Sequence, residues 1–215
     1  MGSDGLRIVQ VRRRDLPAVS RVHLRAFPSS ALSSLGIEAV RRYYEWQLTG
    51  PHEHRFVMAE KDGEAAGFCV GGISCGSLEG FLRRNRVWLM VRLVTRPWLF
   101  LNPVIMSRIR SALTVLGVLP CRGDAPPPVQ RTERSYGILS IAADPRWHGA
   151  GVGRRLMEDA EGEALARGFR RMRLTVATDN YRAIRFYEKL GWYRVQQGER
   201  WYGYMEKLIV RTEES

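Results

Sequence analysis

The chain has 215 residues, 45% hydrophobic and 26% charged, enough for one large domain, or a domain with an insertion, around a real core. Its 34 Lys and Arg against 22 Asp and Glu leave a formal charge of +12, which favours anionic partners and argues against polycationic ones. Three cysteines, Cys69, Cys75 and Cys121, form no CxxC pair, so neither a disulfide framework nor a metal site is expected and each reads as a small buried hydrophobe.

The opening residues, MGSDGLRIVQ, lack the apolar stretch of a signal peptide, and Leu6 breaks the Met-Gly myristoylation pattern; a cytoplasmic protein is expected. Residues 6 to 11 alternate imperfectly and predict a strand. Asp15 then reads as the cap of a helix with Pro17 in its first turn, carrying Val19, Val22 and His23 to Phe27, where Pro28 stops it. SSALSSLG reads as a polar loop, and a second helix follows from Ile37 through Trp46. Phe56 to Glu60, a turn at Asp62 and Gly63, and Ala65 to Ser74 predict a hairpin.

From Gly76 to Arg134 the chain carries ten arginines against three acids, a net of +7. Large apolar residues and Arg alternate there at helical spacings, and APPPVQ closes the stretch, so residues 76–135 read as a basic helical insertion. Its longest uncharged run, Pro97 to Ser107, is too short to span a bilayer. Then YGILSIAA, residues 136 to 143, predicts a buried strand. A helix from about Gly151 to Arg167, a strand at 172–178, a helix from Asn180 to Leu190 and a final hairpin turning at Gly198 complete an α/β domain with a mixed sheet.

Between strand and helix lies DPRWHGAGVGRRLM, with glycines at 149, 151 and 153. A glycine-rich turn into a helix N-terminus presents unpaired N–H groups and the positive end of a helix dipole, which is an anion site. The three glycines would let the anion reach the backbone, and Arg154 and Arg155 add charge at the rim. Gly153 is followed by Arg rather than Lys-Ser or Lys-Thr, which argues against a Walker loop. Arg154 also stands where the dinucleotide fingerprint needs a third glycine.

IAADPRWHGAGVGRRLM followed by LTVATDNYRAIRFYEKLGW resembles the acetyl-CoA signature of the GCN5-related N-acetyltransferases, the GNAT family. The match covers residues 137 to 195, and the first 75 residues fit the fold's opening in outline. The resemblance implies a GNAT-like mixed β-sheet flanked by helices, with the insertion between the third and fourth strands, and acetyl-CoA as acyl donor without a metal. It implies that the backbone of Ile141, Ala142 and Ala143 pairs with the pantetheine arm, and that His148, Gly149, Ala150, Gly151, Val152, Gly153 and Arg154 hold the pyrophosphate. His148 departs from the family's Arg or Gln. Asn180, with Ala183 and Phe186 beside it, would bond the pantetheine or its neighbouring backbone. Tyr187 would donate to the CoA sulfur, and a backbone N–H near Ala142 or Ala143 would serve the oxyanion. The strands carrying the two segments are expected to splay apart around the thioester.

No carboxylate announces itself as the base for the incoming amine; Glu133, Tyr136 and His23 are candidates. A small-molecule amine bearing phosphate or carboxylate suits the basic chain. AFPSSALSSLG followed by YYEW, together with the arginine-rich insertion, resembles family members associated with bacterial surface-sugar biosynthesis, which implies an amino-sugar nucleotide as acceptor, with Phe27, Pro28, Ser29 and Tyr136 on the acceptor side. Acetylation of a protein N-terminus or lysine is one alternative, but the insertion argues against the open groove it needs; a membrane-surface or CoA-binding protein without catalysis is the other. The insertion could form a lid, a homodimer contact or a peripheral contact with anionic membrane. Nucleic-acid binding has no recognised module behind it.

Overall fold

In the computed structural model, which describes residues 5–73, 77–95, 106 and 134–210, the first half of the chain runs β1 (Arg7–Gln10), α1 (Leu16–Ala26), α2 (Ala31–Ser34), α3 (Ile37–Thr49), β2 (Glu53–Lys61), β3 (Glu64–Ile73) and α4 (Ser77–Val94). The second half runs β4 (Tyr136–Ala143), α5 (Val152–Ala166), β5 (Arg171–Thr175), α6 (Tyr181–Lys189), β6 (Tyr193–Arg194) and β7 (Tyr204–Leu208). The strands form one sheet in the order β1-β2-β3-β4-β5-β7-β6. β4 and β5 pair in parallel, and the other neighbours are antiparallel.

Local chemistry explains most of these boundaries. Asp62 and Gly63 both adopt positive φ, 52° and 76°, the geometry a two-residue hairpin turn demands. Two expectations are corrected. Asp15 does not cap α1 with its side chain; its carboxylate accepts the N–H of Arg12 at 2.8 Å and closes a short 3-10 turn ahead of the helix. The serine-rich stretch is no loop throughout, because Ser30 accepts the N–H of Ser33 and starts the single turn of α2.

Each face of the sheet buries its own core. Leu156 and Met157 of α5 and Ile184 of α6 pack with Val57, Ile138, Met172 and Met205 on one face. Val19 and Val22 of α1 and Val40 and Tyr44 of α3 pack with Phe56, Met58 and Phe68 on the other. Val57 therefore faces opposite to its neighbours Phe56 and Met58, as a strand's two-residue period requires. α4 leans on α3, with Phe81 edge-on to Tyr43 at 5.4 Å. The expected insertion thus begins as a helix between β3 and β4. The rest of it, with its proline-rich exit, Cys75, Cys121 and Glu133, lies outside the described residues. No described helix is long and apolar enough to cross a membrane.

The sheet opens in its middle. β4 and β5 pair only through Tyr136–Met172, Gly137–Arg173 and Ile138–Leu174. Beyond that point β4 stays with β3 as far as Gly67–Ala143, while β5 follows the β7 side, Val176 donating its N–H to the Gly203 carbonyl at 2.9 Å. Gly203 permits this approach, since any Cβ there would collide with the Val176 carbonyl. The parting coincides with a bulge: Gly71 faces Ile138 but Val70 faces Ser140, so Leu139 is the extra residue. The bulge resets the alternation of β4. Tyr136, Ile138 and Ile141 belong to the α5 side, whereas Leu139 and Ala142 belong to the α1 side.

Candidate functional site

The turn leaving β4 is held by Asp144, whose side chain is 0% exposed. One carboxylate oxygen accepts the backbone N–H of Arg146 at 3.0 Å, closing the turn of Pro145–Trp147. The other accepts from Arg25 of α1 at 2.6 and 2.8 Å and from Arg146 at 3.0 Å. Burial alone would raise the carboxyl's pKa; the hydrogen bonds from Arg146 and Arg25 outweigh it and hold the group below its ordinary value. Asp144 is not among the residues expected at the site, although Asp-Pro directly after a buried strand is a recognisable turn-capping pattern. Beside it lies a cavity of about 300 Å³ lined by Arg21, Arg25, Glu64 and Arg146, among others.

Asp144→Asn is expected to destabilise the fold by about 2–3 kcal/mol, below the range for a fully buried pair, because Arg25 and Arg146 are 39% and 49% exposed and water screens them. The depressed pKa fixes the pH dependence. The carboxylate's contribution is complete above its unfolded value of about 3.9 and disappears as pH falls through the lower folded value. Urea unfolding at neutral pH should therefore separate wild type from variant, and the gap should close in strong acid.

Past this turn the backbone forms a cradle. Gly149 and Gly151 have φ of 84° and 78°, and a Cβ on either would meet nothing within 4 Å. Gly151 caps α5 without a side-chain hydrogen bond. Arg155 closes the first helical bond onto the Gly151 carbonyl at 3.0 Å, which leaves the N–H groups of Val152, Gly153 and Arg154 as the helix's free donors. Gly153 also meets a packing constraint: a Cβ there would lie 3.1 Å from Cζ of Phe186, so its bareness lets α5 and α6 approach. His148 and Arg154 are exposed at the rim, and Arg155 pairs with Glu158 at 3.5 Å.

Where β4 and β5 separate, Ile141, Ala142 and Ala143 present a strand edge without β5 as a partner. Tyr187 of α6 is buried, its ring edge-on to Phe186 at 5.3 Å and tilted against Trp192 at 6.0 Å. Among the described residues nothing hydrogen-bonds its hydroxyl. Burial raises its pKa above the tyrosine value of 10, and nearby Cys69 of β3 raises it further, so the phenol remains a proton donor throughout the neutral range. Asn180 caps α6, accepting the N–H of Ala183 at 3.1 Å.

On the opposite face Phe27 ends α1, half-buried and edge-on to His23 at 5.0 Å, and Pro28 and Ser29 are exposed beside it. Tyr136 is not brought to this group. It is 1% exposed, packs against Phe169 at 5.7 Å on the α5 side of the sheet, and lies where β4 and β5 remain joined. No cluster of His, Cys, Asp and Glu suited to a metal occurs among the described residues.

Residues 110–192 match the sequence model of the Acetyltransferase (GNAT) family. No curated protein sequence matches the chain significantly. Among solved structures, the chain is similar to the ribosomal-protein-S18-alanine N-acetyltransferase of Escherichia coli (TM-score 0.55, 17% identity, 97% of each chain covered). It is similar to the PaiA N-acetyltransferase of Thermoplasma acidophilum in complex with coenzyme A (0.54, 14%, 94% of this chain and 98% of that one). An acetyltransferase from Thermus thermophilus aligns at 0.56 and 16% identity, over 97% of this chain and 100% of its own. The fold, a mixed seven-stranded sheet flanked by helices, is that of these enzymes.

Proposed function

We propose that this chain, whose residues 110–192 match the GNAT acetyltransferase model, moves the acetyl group of acetyl-CoA to a primary amine on a small anionic acceptor by direct attack on the thioester. The observation that carries this reading is the juxtaposition of a parted β4–β5 pair with a helix N-terminus whose N–H groups are open. Gly149 and Gly151 stand at open space, where even a Cβ would meet nothing within 4 Å, which suits the close approach of a pyrophosphate. The free edge at Ile141 to Ala143 offers strand-like hydrogen bonds to the amides of a pantetheine arm.

Acetyl-CoA supplies an activated acyl group; the chain supplies orientation, an oxyanion donor and a proton. A backbone N–H near Ala142 or Ala143 is the oxyanion donor in this reading. Tyr187 protonates the departing thiolate, a role suited to a buried phenol with a raised pKa. The charge of +12 and the exposed Arg154 at the cradle favour the anionic donor and an acceptor bearing phosphate or carboxylate; an amino-sugar nucleotide is one such acceptor. Isothermal titration with acetyl-CoA tests the first half: saturable binding is expected, and its absence would sink the reading. A panel of phosphorylated and carboxylated amines, followed by release of free CoA thiol, tests the second.

A further inference from the structure

A line of hydrogen bonds, buried at its centre and half-buried at both ends, runs from the parted strands to the α1–α2 turn. Ser140 Oγ lies 3.0 Å from the Tyr44 hydroxyl, which lies 2.8 Å from His23 Nδ1. His23 Nε2 lies 3.3 Å from Ser30 Oγ. Ser30 continues to Ser33 Oγ at 2.9 Å, and Ser33 to the Phe27 carbonyl at 2.6 Å.

The far end fixes the direction of every link. A carbonyl can only accept, so the Ser33 hydroxyl donates to Phe27 and the Ser30 hydroxyl must donate to Ser33. With its own hydrogen committed and the Ser33 N–H already arriving at 3.1 Å, Ser30 receives its contact from His23, which places the imidazole hydrogen on Nε2. Nδ1 is then bare and accepts from Tyr44, whose oxygen accepts from Ser140. Every O–H and N–H thus points away from β4. Ser140 is left with lone pairs and no donor among the described residues, two positions past the last β4–β5 pair and one before the edge at Ile141. The bulge at Leu139 is what turns Ser140 toward Tyr44.

We propose that Ser140, Tyr44 and His23 form a proton relay that takes a proton from the acceptor's ammonium group at the β4–β5 opening and delivers it at the α1–α2 turn. This rests on the acetyl-transfer reading. An alkylamine with pKa about 10.4 is neutral only to about 1 part in 10³ at pH 7, so the attacking nitrogen must lose a proton. As one N–H bond of the ammonium breaks, the proton joins Ser140 Oγ and the Ser140 hydrogen passes to Tyr44. The Tyr44 hydrogen passes to His23 Nδ1, the Nε2 hydrogen to Ser30, and the Ser30 hydrogen to Ser33. Once Ser33 holds the Ser30 hydrogen, its own hydrogen turns from the Phe27 carbonyl to water at the half-buried turn and leaves there. One proton enters, one leaves, and the amine keeps the electron pair that attacks the thioester.

The surroundings suit a conduit better than a store of protons. Burial lowers the His23 pKa to about 4, so the ring is neutral at pH 7 and passes a proton without holding it. Within the line, burial also raises the Tyr44 pKa; among the described residues, the titratable group packed against it is Tyr43, edge-on to Tyr44 at 5.3 Å.

Two measurements test the relay. In ¹⁵N-resolved NMR of the full chain, His23 is expected as the Nε2–H tautomer; an Nδ1–H tautomer reverses the line and overturns the proposal. In turnover with acetyl-CoA, 2-aminoethyl phosphate (protonated at pH 7) is compared with hydroxylamine (largely neutral). Tyr44→Phe keeps the ring packed and removes the hydroxyl, and is expected to lower the ratio of kcat/KM for the two amines about tenfold or more. The deficit should close as pH approaches the alkylamine's own pKa. Ser140→Ala should shift the ratio the same way, and serves if Tyr44→Phe folds poorly. An unchanged ratio in a folded variant shows a merely structural network. Turnover of neither amine by wild type also overturns the relay; acetyl-CoA titration then shows whether the underlying reading falls with it.

Discussion

Gly151→Glu is expected to weaken acetyl-CoA binding by about 100-fold or more, equivalent to about 2.7 kcal/mol, while the protein stays folded. The loss of affinity is electrostatic. Gly151 sits at φ 78°, where an L-residue costs about 1–2 kcal/mol, but that strain is equal in the free and bound protein and lowers stability only. The new carboxylate would stand at the mouth of the cradle proposed for the pyrophosphate, and two like charges about 4 Å apart near a protein surface repel by about 4 kcal/mol before salt screening. A collision in the free protein is not part of the effect, because a Cβ at this position meets nothing within 4 Å. Gly168 is the matched control. It lies just past the other end of α5 with φ 77° and equally open space, so Gly168→Glu carries the same backbone strain with no cradle beside it. Calorimetric titration should find its affinity near wild type. Equal affinity in the two variants would remove the helix N-terminus from the proposed site.

How far the sequence reached depends on whether a feature is local. β4 could be read at its observed limits, Tyr136–Ala143, because a continuous apolar run bounded by Arg-Ser and Asp-Pro announces itself. The Asp62–Gly63 turn and the ends of α5 and α6 were equally legible, each carried by residues adjacent to it. The bulge at Leu139 was not, since it exists only in the register between β4 and β3, and no spacing within YGILSIAA distinguishes it from a regular strand. Nor was the bond from Arg25 to Asp144, which joins residues 119 positions apart.

The candidate site divides along the same line. Its glycines, Tyr187 and Asn180 stand in two short segments whose resemblance to a family could be read directly. Gly153 belongs to that glycine pattern and also leaves room for Phe186, more than thirty positions away, a constraint no local spacing could show. The line from Ser140 through Tyr44 and His23 draws on β4, α3 and α1, which meet only when the sheet forms. His23 was a candidate base by residue type alone, and its partners give that suggestion a direction.

Tyr187→Phe is expected to lower kcat by about 10²-fold, at the low end of what a positioned acid contributes, with little change in acetyl-CoA affinity. The ring remains in place against Phe186 and Trp192, so packing is conserved and only the hydroxyl is lost. Since nothing among the described residues bonds that hydroxyl, its removal strands no buried partner and should leave thermal stability nearly unchanged. A fall in turnover therefore cannot be assigned to misfolding. The pH profile adds a second discriminator. The raised pKa of Tyr187 means that wild type keeps its donor beyond the ordinary tyrosine value of about 10, so no loss of rate from phenol ionisation should appear below it. In the variant the thiolate leaves unassisted as the anion, and the rate of that step does not depend on pH. The deficit should therefore hold steady from neutrality to about pH 10, measured as free thiol released per unit time. A deficit that closes below that pH would show that the phenol is not held protonated as the donor, and turnover equal to wild type at every pH would remove Tyr187 from the chemistry.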